Sequence, residues 1–324
     1  MKLSIQMSLS LTTSNVCGSV FITSVIFLAD GRHIVGVDFD GRIRRWRVDD
    51  GQEAGKPINV GDIQIDSLAA SRDGKWIVSR AANGRVTVWN AETHSKVSRF
   101  KAHSDFPVEA VDVSPDGTRI ATGSHDSTVC VWSLSTGKRL LGLLRYNNVL
   151  AAVKYSLNGR LLATATCGRH SVRIYDSECG RLLIDVPVKV DAYNKSLAWS
   201  NDCKRLYALS DGNIMCLDVS TGKTLSEWPI YSNDDPRGVI LAKNGRFIAA
   251  SANTTLSFWD ATTEKQIGPI IERIDVVSSM DISPNYDLVT SGVDSAIVQS
   301  LRGILPSPYC DNVGTSALRA LSPN

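Results

Sequence analysis

The sequence predicts an all-β fold, a single seven-bladed β-propeller whose blades are four-stranded antiparallel sheets. Three observations predict it. A turn dipeptide recurs about every 42 residues, three apolar positions keep fixed offsets from that dipeptide, and a later strand in most units ends in an aromatic residue. No helical period accompanies the repeat.

The turn dipeptide begins with Asp or Asn in every unit and continues with Gly in five of them. It is found at Asp30-Gly31, Asp73-Gly74, Asp116-Gly117, Asn158-Gly159, Asp202-Cys203, Asn244-Gly245 and Asn285-Tyr286. Asp-Gly or Asn-Gly between two alternating runs is a strong hairpin signal, because both central residues of the favoured turn have positive φ. Each unit should therefore begin with a hairpin.

Three positions around this dipeptide are apolar in all seven units. Five residues before it stand Val25, Leu68, Val111, Val153, Leu197, Val239 and Met280. Three residues before it stand Phe27, Ala70, Val113, Tyr155, Trp199, Leu241 and Ile282. Four residues after it stand Ile34, Ile77, Ile120, Leu162, Leu206, Ile248 and Val289. The first two sets share one face of a strand, so the pattern predicts two strands that bury one face each.

A third strand should follow about a dozen residues later. It ends in an aromatic residue in five units, at Trp46, Trp89, Trp132, Tyr175 and Trp259, whereas the fifth unit has Leu217 and the seventh Ser300. A turn-rich stretch and a fourth, less regular strand complete each unit. Four short strands repeating about every 42 residues match the period of propeller blades.

On these residues the units resemble WD40 repeats. The similarity is greatest in "VEAVDVSPDGTRIATGSHDSTVCVWSLSTGK" (108–138) and "LSFWDATTEK" (256–265), and it covers about residues 20–302. The stretches "WDATTEKQIGPI" and "WNAETHSKV" resemble repeats of fungal WD40 proteins. The resemblance implies the propeller fold and says little about function.

The resemblance also implies a structural relay in the third unit. In this family a His before the first strand connects through a Ser or Thr and an Asp to the aromatic of the third strand, and here these are His103, Thr122, Asp126 and Trp132. Ser124, His125 and Asp126 are the residue types of a hydrolase triad, but consecutive side chains diverge and cannot form one. We therefore predict a structural role for Asp126.

The domain prediction is one propeller over residues 1–302 and a C-terminal tail over 303–324. Residues 2–11 should supply the outer strand of blade seven and so close the ring, because an open ring leaves two sheet edges exposed. Arg45 breaks the apolar pattern of the third strands, and we expect it to be paired or to extend to the rim.

Composition and charge limit the range of partners. The net charge is only +2, and the basic run "RIRRWR" (42–47) is flanked by four aspartates, so nucleic acid is not an expected partner. Seven scattered cysteines form no CxxC pair and no grouping with the histidines, so we expect no metal or cofactor and a cytoplasmic or nuclear protein. No apolar run is long enough for a membrane span, and we expect no signal peptide.

The function predicted is a non-catalytic scaffold or adaptor that binds a protein or peptide within a larger complex. Family resemblance implies contacts on the top face, at positions that here hold Phe39, Asp66, Glu109, His125, Tyr193, Lys195, Asp235 and Arg237. The alternative is a propeller hydrolase or lyase with a site in the central channel. Carboxylates or histidines clustered at a channel mouth would favour the enzyme, and an aromatic, charge-mixed rim would favour the adaptor.

Overall fold

The computed structural model describes residues 9–10, 22–38, 40–60, 65–104, 106–167, 171–187, 197–210, 212–230, 236–241, 245–272, 277, 279–285, 288–292, 296–301 and 305–306. Every regular element within these ranges is a β-strand. The predicted all-β class is confirmed for this part of the chain.

The strands form seven four-stranded antiparallel sheets, here called blades. After the short N-terminal strand β1 (Leu9–Ser10), six blades each use four consecutive strands. Blade 1 contains β2 (Ile22–Phe27), β3 (His33–Asp38), β4 (Arg42–Arg47) and β5 (Ile58–Asn59). Blade 2 contains β6 (Ile65–Ala70), β7 (Trp76–Ala81), β8 (Arg85–Asn90) and β9 (Lys96–Lys101). Blade 3 contains β10 (Val108–Val113), β11 (Arg119–Ser124), β12 (Thr128–Ser133) and β13 (Arg139–Arg145).

The second half of the chain continues the same order. Blade 4 contains β14 (Leu150–Tyr155), β15 (Leu161–Thr166), β16 (Ser171–Asp176) and β17 (Leu182–Pro187). Blade 5 contains β18 (Leu197–Trp199), β19 (Arg205–Ser210), β20 (Asn213–Asp218) and β21 (Thr224–Pro229). Blade 6 contains β22 (Pro236–Leu241), β23 (Phe247–Ala252), β24 (Thr255–Asp260) and β25 (Ile271–Glu272). Blade 7 contains β26 (Ser279–Ile282), β27 (Leu288–Gly292) and β28 (Ala296–Ser300), and its fourth strand is β1.

The apolar positions of the repeat are cross-strand partners. In blade 3, Val113 lies opposite Ile120, and Ile120 lies opposite Trp132 on the next strand. The same register in blade 7 places Gln299 opposite Val289. The position expected for Ser300 in that blade is therefore held by Gln299, because the strand register differs by one residue from the one predicted.

The turn between the first two strands differs from the prediction in its backbone in blades 1 to 5, where both residues of the dipeptide are described. In blade 2 the connection runs from Ser71 to Lys75, and only Gly74 of the Asp-Gly pair has positive φ, at 72°. Asp73 instead uses its side chain, accepting hydrogen bonds from Ser71 Oγ at 2.6 Å and from the Lys75 amide at 3.1 Å. The expectation of two residues at positive φ was wrong because the aspartate caps a longer turn.

Side chains of the inner strands connect neighbouring blades. Asp112 on β10 accepts a hydrogen bond from the Tyr155 amide of blade 4 at 2.8 Å. Asp281 on β26 accepts one in the same way from the Phe27 amide of blade 1 at 2.7 Å. Blade 7 therefore contacts blade 1 directly, although the two lie at opposite ends of the chain.

The end of the described chain remains in the core. Leu305 is only 4% exposed and packs in a cluster that includes Phe247, Phe258 and Leu301. Packed structure thus extends beyond residue 302, into the segment predicted to be a tail. Of residues 2–11, only Leu9 and Ser10 are described, and they pair with Val298 and Ile297.

Candidate functional site

Blade 3 contains a continuous hydrogen-bonded chain through the four residues of the predicted relay. Trp132 Nε1 donates to Thr122 Oγ1 at 2.9 Å, and that oxygen lies 2.8 Å from His103 Nε2. His103 Nδ1 lies 3.0 Å from both Asp126 Oδ2 and Thr128 Oγ1. The segment before β10, the second strand, the turn after it and the third strand are thereby joined through one buried imidazole.

Chemistry fixes the direction of these hydrogen bonds. The Asp126 carboxylate can only accept, so His103 donates to it through Nδ1, and Nε2 of a neutral imidazole then accepts from the Thr122 hydroxyl. An indole N–H can only donate, so the same hydroxyl oxygen accepts from Trp132. Burial lowers the pKa of His103, although the charge of Asp126 acts in the opposite direction. The neutral imidazole therefore satisfies every polar atom in the chain.

Blade 4 builds an equivalent chain from different residues, which the sequence reasoning missed. Tyr146 lies just before β14, and its hydroxyl donates to the Tyr175 hydroxyl at 2.7 Å and lies 2.7 Å from Thr164 Oγ1. Thr164 and Tyr175 occupy the positions that Thr122 and Trp132 hold in blade 3. Tyr146 thus does in blade 4 what His103 does in blade 3, and a tyrosine gave no signal when only histidine was sought.

The top face of blade 3 carries an exposed aromatic residue next to a histidine–glutamate pair. Phe106 is 51% exposed, and His125 Nε2 lies 3.1 Å from Glu109 Oε1, with side chains 46% and 16% exposed. The backbone carbonyl of Pro107 accepts from Ser124 Oγ at 2.7 Å and from the His125 amide at 3.1 Å. These bonds hold the segment with Phe106 against the turn with His125. Of the predicted contact residues, the structure brings together Glu109 and His125, and Phe106 was missed.

The other predicted contact residues cannot be placed at a site. Four lie outside the described residues, namely Phe39, Tyr193, Lys195 and Asp235. Asp66 and Arg237 lie on β6 and β22, and their side chains are outside the described part of the structure.

A cleft of about 380 Å³ opens beside the relay, between the turn that follows β11 and the outer strand β13. Its polar lining comes from hydroxyl, carboxylate and guanidinium side chains, which are those of Ser104, Asp126, Ser127, Thr128, Arg139 and Arg145. The relay residue His103 forms part of its wall.

The inner strands, where a channel enzyme would have its site, carry Lys154, Asp112 and Asp281. Lys154 Nζ lies 3.0 Å from Asp112 Oδ1, and the charge of Asp112 raises the pKa of Lys154, with a smaller contribution from Asp281. A protonated ammonium is neither a base nor a nucleophile. Both carboxylates also accept backbone hydrogen bonds from the neighbouring blade. This cluster is accounted for by joining blades.

The arginines of the basic run 42–47 are all engaged within blade 1 and its neighbour. Arg44 pairs with buried Asp38 at 2.9 Å and with Glu53 at 3.2 Å, and Arg47 pairs with Asp50. Arg42 lies 3.7 Å from an aspartate in the adjacent turn. These pairs leave little basic surface for a polyanion.

Arg45 is satisfied without a carboxylate. Its Nε donates to the Ala54 carbonyl at 3.3 Å and one terminal nitrogen donates to the Ala91 carbonyl of blade 2 at 3.2 Å. Arg45 is therefore paired, as expected, and it links two blades.

The described part of the chain contains no helix that could cross a membrane and no group of three or more metal-ligating side chains.

Comparison with known proteins identifies the repeat of blade 3. The family described as WD domain, G-beta repeat (WD40) matches residues 94–133. The chain carries a WD40 repeat within a β-propeller. The matched segment includes β9 to β12 and the whole relay from His103 to Trp132. The WD40 resemblance is confirmed, and no curated protein matches the chain. WD40 propellers typically mediate protein–protein interactions.

Proposed function

We propose that this WD40 propeller is a non-catalytic scaffold or adaptor that binds a peptide or protein partner on its top face, as part of a larger complex. The observation that carries the proposal is the exposed Phe106 ring beside the His125–Glu109 pair. Aromatic anchors next to polar, charge-mixed contacts are typical of protein-binding sites.

The energetics favour a contact site at this position. Burying half of a phenylalanine side chain against a partner gains about 1 to 2 kcal/mol. The His125–Glu109 pair is exposed enough to contribute little to stability of the free protein. The same pair can fix the orientation of a partner, because charged groups at an interface act mainly on specificity.

The test is affinity capture with quantitative mass spectrometry on the wild type and Phe106→Ala. We expect the specific partners to be reduced by about tenfold or more, as for a hot-spot aromatic residue. Leu225→Ala is the matched control, because Leu225 is similarly exposed but lies on the outer strand β21. Equal recovery by wild type and Phe106→Ala, or equal loss with Leu225→Ala, would reject the site.

The predicted contacts on blades 5 and 6 require their own test. Lys195 and Arg237 are proposed to present positive charge to the partner, with Asp235 opposing them. Charge reversal at Lys195 and Arg237 should change the set of captured partners if the site extends across this side of the top face. Unchanged partners would restrict it to blade 3.

We also infer that the seven blades form one closed ring. The support is the pairing of β1 with β28 and the hydrogen bonds that the amides of Val25 and Phe27 donate to the side chains of Ser279 and Asp281. A closed ring removes the sheet edges that would otherwise be open to aggregation. It also makes the top face one continuous surface on which the contacts of several blades can act together.

A further inference from the structure

The cleft beside the relay carries two arginines that differ from those of the basic run 42–47. Arg139 and Arg145 lie at the two ends of β13, both are exposed, and both line the cleft. Within the described part of the chain, no carboxylate lies within ion-pair distance of either guanidinium. Their hydrogen-bond donors are therefore available to a ligand in the cleft.

The hydroxyl groups and the one described carboxylate of the lining also fit an anionic ligand. Ser104, Ser127 and Thr128 bring hydroxyl groups. Asp126 is only 17% exposed and its oxygens already accept from His103 and from the amide and hydroxyl of Thr128. Its negative charge is directed into the relay, so the cleft presents mainly guanidinium and hydroxyl donors.

We propose that this cleft binds the phosphate group of a phosphorylated serine or threonine on the protein partner. A phosphate carries nearly two negative charges and three acceptor oxygens, which match two guanidiniums and several hydroxyls better than the two oxygens of a carboxylate do. The volume of about 380 Å³ admits one phosphorylated side chain and lies within the range of about 300 to 1,000 Å³ typical of ligand pockets. The identity of the ligand as part of a protein rests on the function proposed above.

The experiment uses the full-length protein and three degenerate peptide pools that share the same flanking positions. One pool is fixed on phosphothreonine, one on threonine and one on glutamate, and binding is followed by fluorescence anisotropy at constant salt. We expect the phosphothreonine pool to bind at least about tenfold more tightly than the other two, because charge-assisted hydrogen bonds are the strong ones. Inorganic phosphate should compete.

The variant Arg139→Gln/Arg145→Gln should lose that preference and keep its melting temperature. Arg160→Gln is the matched control, because Arg160 is exposed on the turn between β14 and β15, away from the cleft lining. The proposal is overturned if the three pools bind equally, if none binds, or if the double variant binds like the wild type.

Failure of this proposal can be separated from failure of the proposed function. Partner capture that depends on Phe106 but survives phosphatase treatment of the lysate would reject the phosphate site and keep the top-face scaffold. Phosphothreonine binding that requires both arginines, without any dependence of partner capture on Phe106, would keep the phosphate site and reject the top-face scaffold.

Discussion

His103 Nδ1 lies 3.0 Å from Asp126 Oδ2, and the pair closes the only complete His-to-Trp relay among the described blades. The imidazole is neutral and fully buried, while the carboxylate is held at the edge of the cleft. The stability of blade 3 and the shape of its top face thus depend on the same contact.

Removal of that carboxylate should therefore destabilise the protein more than removal of the equivalent group in blade 2. Asp126→Ala removes the acceptor of the Thr128 amide and hydroxyl and one of the two acceptors within reach of His103 Nδ1, and we expect a loss of about 2 to 3 kcal/mol in the free energy of unfolding. Asn83→Ala removes one long hydrogen bond, to the Arg85 amide at 3.3 Å, and should cost less than about 1 kcal/mol. Urea denaturation of both variants checks this ranking, and equal losses would contradict it.

Two buried tyrosines provide a second matched pair. Tyr146→Phe removes a hydroxyl that joins Thr164 and Tyr175, so we expect a loss of about 1 to 3 kcal/mol. The Tyr155 hydroxyl is buried with no hydrogen-bond partner among the described residues, so Tyr155→Phe should be neutral or stabilising. Thermal melts of both variants test these expectations, and a larger loss of stability for Tyr155→Phe than for Tyr146→Phe would show that blade 4 has no relay.

Stability should fall on acidification through the histidine range. The pKa of His103 is lower in the folded protein than the value of about 6.5 in the unfolded chain. As the pH falls below 6.5, the unfolded chain takes up the proton first, so unfolding becomes more favourable. For the wild type, the urea midpoint should be lower at pH 5.5 than at pH 7.5.

The variant His103→Gln supplies the control for this pH dependence. It should be less stable than the wild type at pH 7.5 but should lose less stability between the two pH values. His94, whose pKa is also lowered by burial, contributes in the same direction in both proteins. An identical pH dependence in wild type and His103→Gln would contradict the assignment to His103.

Deletion of residues 1–12 tests the pairing of the N-terminal strand with blade 7. Without β1, the outer edge of β28 has no partner, and we expect a lower and broader thermal transition. Deletion of residues 313–324, an equal length from the predicted tail, is the control and should change little. A melting curve unaffected by loss of residues 1–12 would show that the pairing contributes no stability.

The repeat was predictable because burial imposes it on every blade. Val113, Ile120 and Trp132 form one cross-strand row, and the equivalent positions are apolar in the other blades except at Gln299 of blade 7, because this row is buried where blades pack face to face. His103 and Asp126 were predictable because the family pattern specifies both their residue types and their places before the first strand and in the turn after the second.

Much of the candidate site was not predictable, because several residue types can do the same physical work. Tyr146 replaces an imidazole through a hydroxyl at the right distance, and the partners of Arg45 are backbone carbonyls. The exposure of Phe106, and the lack of a described carboxylate beside Arg139 and Arg145, depend on how three separate segments meet. Sequence spacing contains no such information.

The pairing of Leu9 with Val298 constrains how the protein folds during its synthesis. Strand β1 belongs to the last blade, and its partner is synthesised about 290 residues later. At about 5 to 20 residues per second, the strand waits roughly 15 to 60 s without its neighbour. During this interval β1 lacks its partner strand β28, and correct assembly of the blades depends on keeping β1 from pairing with other strands.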